Sequence, residues 1–284
     1  MNKVRILTDS TADLGDELYK KYDIDVVSGR FAFGEETFRD NGKEMTLEQL
    51  YKKVEETKEL PHTSAVPPAE FEEYFKKAVA DGYDVVYVGL GSKLSTTFQN
   101  AHIASQECPE GRVFLVDSES LSTGIGLLVL RAAKLRDEGL SAKEIAEKVQ
   151  PLSKKAIAQF TVEGLDYLHK GGRCSGASKL LGHIFHIHPY LRVVDGTLIV
   201  YKKPRGPMKI AIKEQLNELA SALPNVELDH VFITHALMDP ELEKWTYEEL
   251  KKLVPAECIH ITHAGGVIAS HCGYGTIGIL YLLK

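Results

Sequence analysis

The sequence predicts an α/β protein in two parts: a doubly wound parallel sheet first, then a second α/β unit with a mixed sheet. Three observations carry this expectation. DVVYVGL and RVFLVDS are near-continuous apolar strands, each followed by a helix, as in parallel sheets covered on both faces. Beyond residue 150 the pattern changes, and Asp195-Gly196 stands between two β-rich runs as a type I′ hairpin turn. The 284 residues are enough for two domains of ordinary size.

The elements follow in chain order. VRILT reads as a buried strand, DSTAD as a polar turn, LGDELYKKY as a helix and IDVV as a second strand. Thr46 and Gln49 make a capping box before LEQLYKKVEETK. Pro67 and Pro68 suit the first turn of AEFEEYFKKAVA, and Gly82 follows its end. Helices come after both apolar strands, and Ser141 with Glu144 caps another. QPLSKK separates the two patterns, which places the domains at residues 1–153 and 154–284. In the second, AIAQFTV is a strand, GLDYLHKGG a short helix stopped by glycine, and SGASKLLGHIF another helix. PYLRVVDGTLIVYKK is the hairpin, HVFITHA and CIHITHA open two strand–helix units, and the apolar run TIGILYLL follows.

Composition narrows the function. Thirty-four Lys and Arg against 40 Asp and Glu leave a net charge of −6 and no basic stripe, so nucleic acid is not an expected partner. No apolar run approaches the roughly 18 residues of a spanning helix. Asp9 falls where a signal peptide would be apolar. Cys108, Cys174, Cys258 and Cys272 form no CxxC pair and no dense framework. A reduced, cytoplasmic protein is expected.

Ligands of open parallel sheets bind at the carboxyl ends of strands, and several such ends are rich in hydroxyls. The first strand runs into Thr8, Asp9, Ser10 and Thr11; DVVYVGL runs into Ser92, Ser95, Thr96 and Thr97; VFLV runs into Ser118 and Ser120. A separate loop carries His62, Thr63 and Ser64. Converging hydroxyls and helix-start amides make an anion receptor; alternatively, each hydroxyl caps its own helix. GLGSKL is neither a GxGxxG nor a Walker loop, and no GxSxG elbow occurs. His183, His186 and His188, and separately His260 and His263, have no carboxylate or Cys at ligand spacing, and no metal is expected. Two glycine-flanked motifs stand out: Gly171-Gly172-Arg173, between a helix end and a helix start, and His271-Cys272-Gly273-Tyr274-Gly275.

LTDSTADL, GEETFRDN, the Thr63-Ser64 pair in HTSAVPP, LSTTFQNA, VDSESLSTGIG, YLHKGGRCS, PYLRVVDG and HCGYGTIG occur in the order found in DegV-family proteins. The chain resembles that family over essentially its whole length. The resemblance implies two α/β domains holding a long-chain fatty acid between them, of palmitate, stearate or oleate type. It further implies a non-enzymatic carrier, the fatty-acid-binding subunit of bacterial fatty acid kinase. Such a subunit serves phospholipid metabolism by presenting the carboxylate to a separate ATP-binding kinase subunit, which makes the acyl phosphate. By the same resemblance Thr63, Ser95 and His271 bind the carboxylate, Arg173 stands at the rim that meets partner and phosphate, and Ser64, Ser92, Thr96 and Gly273 are further pocket candidates. The chain departs from the family pattern at Thr96, usually glycine, at Ala65-Val66, at Cys272 and Tyr274, and at His186 and His188.

The residues suit such a ligand. A carboxylate leaving water needs charge-assisted hydrogen bonds, and the acyl chain contributes about 0.8 kcal/mol per buried CH₂. AIAQFTV, SKLLGHIF and TIGILYLL could wall a tunnel for it. Two rival readings stay open. One is a lipid-bound regulatory sensor, in either case with transient membrane contact. The other is an acyl hydrolase using Ser95 and His271, which lacks a third residue to orient the histidine.

Overall fold

A computed structural model describes residues 2–174 and 187–284. The first half runs β1 (Lys3–Asp9), α1 (Gly15–Lys21), β2 (Ile24–Val27), β3 (Arg30–Phe33), β4 (Glu36–Arg39), α2 (Leu47–Thr57), β5 (His62–Ser64), α3 (Pro68–Ala80), β6 (Tyr83–Gly89), α4 (Thr97–Ser105), β7 (Val113–Asp117), α5 (Thr123–Asp137) and α6 (Ala142–Val149). Then come β8 (Ala156–Ile157), β9 (Gln159–Thr161), α7 (Asp166–Gly171), β10 (Tyr190–Val194), β11 (Thr197–Lys202), α8 (Met208–Ala222), β12 (Val226–His235), α9 (Pro240–Leu250), β13 (Ile259–His263), α10 (Gly266–Cys272) and β14 (Ile277–Leu283).

The parallel sheet has the order β2-β1-β6-β7, and Val85 to Gly89 of β6 are buried, as the unbroken apolar run requires. The local signals act where they were read. Thr46 Oγ1 accepts from the Gln49 amide at 3.3 Å while Gln49 Oε1 accepts from the Thr46 amide at 2.9 Å. Ser141 and Glu144 repeat the exchange. Pro68 opens α3. Asp195 and Gly196 both have φ in the left-handed region, +49° and +73°, which lets a two-residue loop follow the twist of β10 and β11.

Two features differ from expectation. β3 pairs antiparallel with β4 and β5 in a separate three-stranded sheet, because FAF and ETF are short strands whose partners the sequence does not mark. AIAQFTV is two strands. Both β8 and β9 lie on β14, but between them Ala158 turns its carbonyl to the Val193 amide of β10, 3.0 Å away. The mixed sheet therefore runs β11-β10-β9-β14-β12-β13 with β8 beside β14, and among the described strands β12 and β13 are its parallel neighbours.

Helix α5 joins the two layers. It is buried on every side through Ile125, Leu127, Leu128, Val129 and Leu130, as befits a helix covered on both flanks. One apolar core runs from Ile6, Val86 and Val88 of the parallel sheet, through Ile125 and Leu128, to Phe160, Phe232 and Leu280 of the mixed sheet. Among the described residues no helix is long and apolar enough to cross a membrane, and no disulfide joins the cysteines. The SGASKLLGHIF stretch, with His183 and His186, lies outside the described residues.

Candidate functional site

A cavity of about 660 Å³ opens between the carboxyl ends of the parallel sheet and α7, β11 and α10, the position expected for a ligand of an open α/β sheet. Leu90, Leu94, Leu121, Leu168, Leu198 and Ile268 supply apolar wall. Thr63, Ser64, Ser92, Ser95, Thr96, Arg173 and His271 all line it, so residues from four distant stretches of sequence meet there. Gly273 is not among the described lining residues. It takes φ +82° just past α10, where a Cβ would press on the Tyr167 ring.

Thr63 is carried by β5, opposite Phe31 of β3. Its Oγ1 lies 2.8 Å from Nε2 of His271, near the end of α10. Burial, with Arg173 nearby, lowers the His271 pKa to about 4, which leaves the imidazole neutral at pH 7. Arg173 is exposed; its Nη1 donates to the Gly171 carbonyl at 2.5 Å and its Nε to the Leu94 carbonyl at 3.4 Å. It thus ties the GGR turn to the loop before α4 while also reaching the cavity rim.

The hydroxyls divide into two groups. Ser95 Oγ accepts from the Thr97 amide at 3.2 Å and lies 3.0 Å from Thr97 Oγ1, so it braces the turn that enters α4 as well as lining the cavity. The hydroxyls after β1 serve the protein itself. Thr8 donates to the Val88 carbonyl and Ser10 to Asp40, while Thr11 donates to Asp9. Asp9 also accepts from the Thr11 amide at 3.1 Å, the Tyr87 hydroxyl at 2.7 Å and the Leu90 amide at 3.1 Å. This buried carboxylate holds the cavity floor through four hydrogen bonds. At this strand end the three hydroxyls donate to protein acceptors and none caps a helix of its own, while Asp9 and Thr11 still line the cavity.

Two more acids, not anticipated as site residues, aim α10. The Gly265 amide donates to Asp13 Oδ1 at 2.7 Å, and the Gly266 amide to Asp40 Oδ1 at 2.5 Å, with the Val267 amide also on Asp40. Both carboxyls are buried, 4% and 6% exposed, and burial raises both pKa values against the pull of these hydrogen bonds. They cap a helix start more than two hundred residues away in the chain. Helix α10 carries Ile268, His271 and Cys272 into the cavity wall. Asp13 stands in LTDSTADL and Asp40 in GEETFRDN, but nothing local to either motif names α10 as the partner.

Three of the other histidines, His188, His260 and His263, lie away from the cavity. His188 faces Glu163 at 3.4 Å, His260 Nε2 sits 2.9 Å from His230 Nδ1, and His263 packs on the His235 ring. Among the described residues no group of three or more His, Cys, Asp or Glu could hold a metal ion.

A family model described as an uncharacterised protein of the DegV family matches residues 3–284. A DegV domain-containing protein of Clostridium perfringens is 32% identical over 271 residues, covering 93% of this chain and 96% of its own length. A fatty-acid-binding DegV family protein from Thermus thermophilus has a TM-score of 0.90 at 30% identity, with both chains covered in full. The DegV fatty acid binding protein of Bacillus subtilis has a TM-score of 0.87 at 28% identity, again over both full chains.

Proposed function

The chain belongs to the DegV family, and from that premise we propose that it binds one long-chain fatty acid between the unit of residues 1–153 and that of 154–284. The observation that carries this reading is the Thr63–His271 pair, 2.8 Å apart in a cavity with extensive apolar wall. The similar proteins from Thermus thermophilus and Bacillus subtilis are fatty acid binding proteins, which supports the same ligand class. Thr63, Ser95 and His271 hold the carboxylate, and the apolar wall takes a chain of palmitate, stearate or oleate type. Lipid extraction of the purified protein is expected to release about one fatty acid per chain, and added palmitate to raise the melting temperature of delipidated protein. A ligand at 100 times its dissociation constant adds about 2.7 kcal/mol. No released lipid together with no thermal shift would refute the reading.

Ser95→Ala is expected to weaken fatty acid binding about ten- to a hundredfold, the worth of one hydrogen bond to a charged group. The loss of its bond to the Thr97 amide should cost the free protein only about 1 kcal/mol. Titration calorimetry with palmitate checks this, and unchanged affinity would assign the hydroxyl to the turn before α4 alone.

In the finer reading, the protein sequesters the lipid and offers its carboxylate to a separate ATP-dependent kinase subunit for acyl phosphate formation. Arg173, exposed at the rim beside His271, is suited to meet phosphate charge. The sequence contains no Walker loop, and its GxGxxG, Gly273 to Gly278, leads from a helix into β14 instead of from a strand into a helix, so it does not form a nucleotide cradle. Protein, fatty acid and Mg-ATP should yield acyl phosphate only when a cognate kinase subunit is added. Product without that subunit would overturn the carrier role.

A further inference from the structure

We propose that Gly171 is a positioning residue: lacking a side chain, it seats the His271 ring with the proton on Nε2, leaving Thr63 to offer its hydroxyl hydrogen to the ligand. This rests on the reading of the cavity as a carboxylate site. Gly171 ends α7, and α7 packs against α10. A Cβ on Gly171 would lie 2.3 Å from His271 Nδ1 and 3.2 Å from Cε1, a separation no real pair of atoms holds. Gly171 is not among the positive-φ glycines; its neighbour Gly172, at +67°, is the one that ends the helix. Backbone conformation therefore does not demand glycine at 171. The imidazole does.

The same contact selects the tautomer. Nδ1 is buried against Gly171 and has no hydrogen-bond partner among the described residues, whereas Nε2 has Thr63 Oγ1 at 2.8 Å. A proton on Nδ1 would be a buried donor with no acceptor. A proton on Nε2 is donated to Thr63 at once. With Thr63 Oγ1 accepting from His271, its own hydrogen turns toward a second acceptor, and a carboxylate oxygen is the acceptor the cavity is read to receive. The opposite tautomer would draw the Thr63 hydrogen onto Nε2 and face the carboxylate with lone pairs alone. The Gly171 carbonyl also accepts from Arg173, so one residue registers both the histidine and the rim arginine.

Long-range ¹H–¹⁵N NMR on lipid-free protein at pH 7 tests the tautomer without any ligand. His271 is expected to carry its proton on Nε2, and a proton on Nδ1 overturns the proposal. In full-length Gly171→Ala, fatty acid affinity should fall about tenfold or more, while affinity for the fatty alcohol of the same chain length stays within about twofold. Equal loss for both lipids, or no loss for the acid, overturns the positioning role. If Gly171→Ala does not fold, the wild-type tautomer alone decides. If the wild-type protein binds neither lipid, the carboxylate reading fails, and the NMR result still stands or falls by itself.

Discussion

Asp9→Ala should destabilise the protein by about 4 kcal/mol or more, a large share of the roughly 5–15 kcal/mol that holds a typical domain folded. Asp9 is 1% exposed, and its two oxygens accept from the Thr11 amide and hydroxyl, the Tyr87 hydroxyl and the Leu90 amide. Alanine would leave these four donors without their acceptor. Each buried unpaired group costs about 1–3 kcal/mol, so even with partial rescue by water the sum is large. Tyr87→Phe removes a single bond and should cost only about 1 kcal/mol. Urea denaturation of both variants separates the cases. A midpoint for Asp9→Ala close to that of the wild type would show that the floor of the cavity does not depend on this carboxylate.

Acid should weaken the protein through His271. Its folded pKa is lowered to about 4 by burial and by Arg173, against an ordinary value of 6.5. Between these values the unfolded chain binds the proton and the folded protein does not, so stability falls as pH falls. The contribution is full above pH 6.5 and is lost by about pH 4, a change of about 3 kcal/mol. Asp13 and Asp40 act in the opposite sense. Their raised carboxyl pKa values make the folded state take up protons sooner, so their contribution grows as pH drops and is lost as pH rises through the folded values. Wild type should therefore be compared with His271→Gln, in which the two acids are unchanged. Unfolding free energies measured from pH 7 to pH 4 should fall more steeply in the wild type, by about 3 kcal/mol over the range. Parallel curves would show that the ring is not neutral and buried in solution.

Features that depend on neighbours within a few residues are legible in the chain before it folds. The Thr46–Gln49 and Ser141–Glu144 boxes close over three residues, Asp195-Gly196 needs only its own left-handed φ values, and the apolar run of β6 states its own burial. Thr63, Ser95, Arg173 and His271 were legible as a set through the order of short motifs that resemble one family, and all four line one cavity. Tertiary structure decided the rest, because the deciding partner lies far along the chain. Whether a hydroxyl faces a ligand or a protein acceptor depends on what packs opposite it. Thr8 finds the Val88 carbonyl and Ser10 finds Asp40, while Thr63 finds His271. AIAQFTV carries no mark of its break at Ala158, since the break is made by the Val193 amide of another strand. Asp13 reads as a turn residue and Asp40 only as part of a short motif until α10 is set against them, and Gly171 reads as a helix end until the His271 ring lies on it. Periodicity and capping are encoded by local spacing, but desolvation, acceptor choice and close approach are properties of surfaces that meet only when the chain has folded.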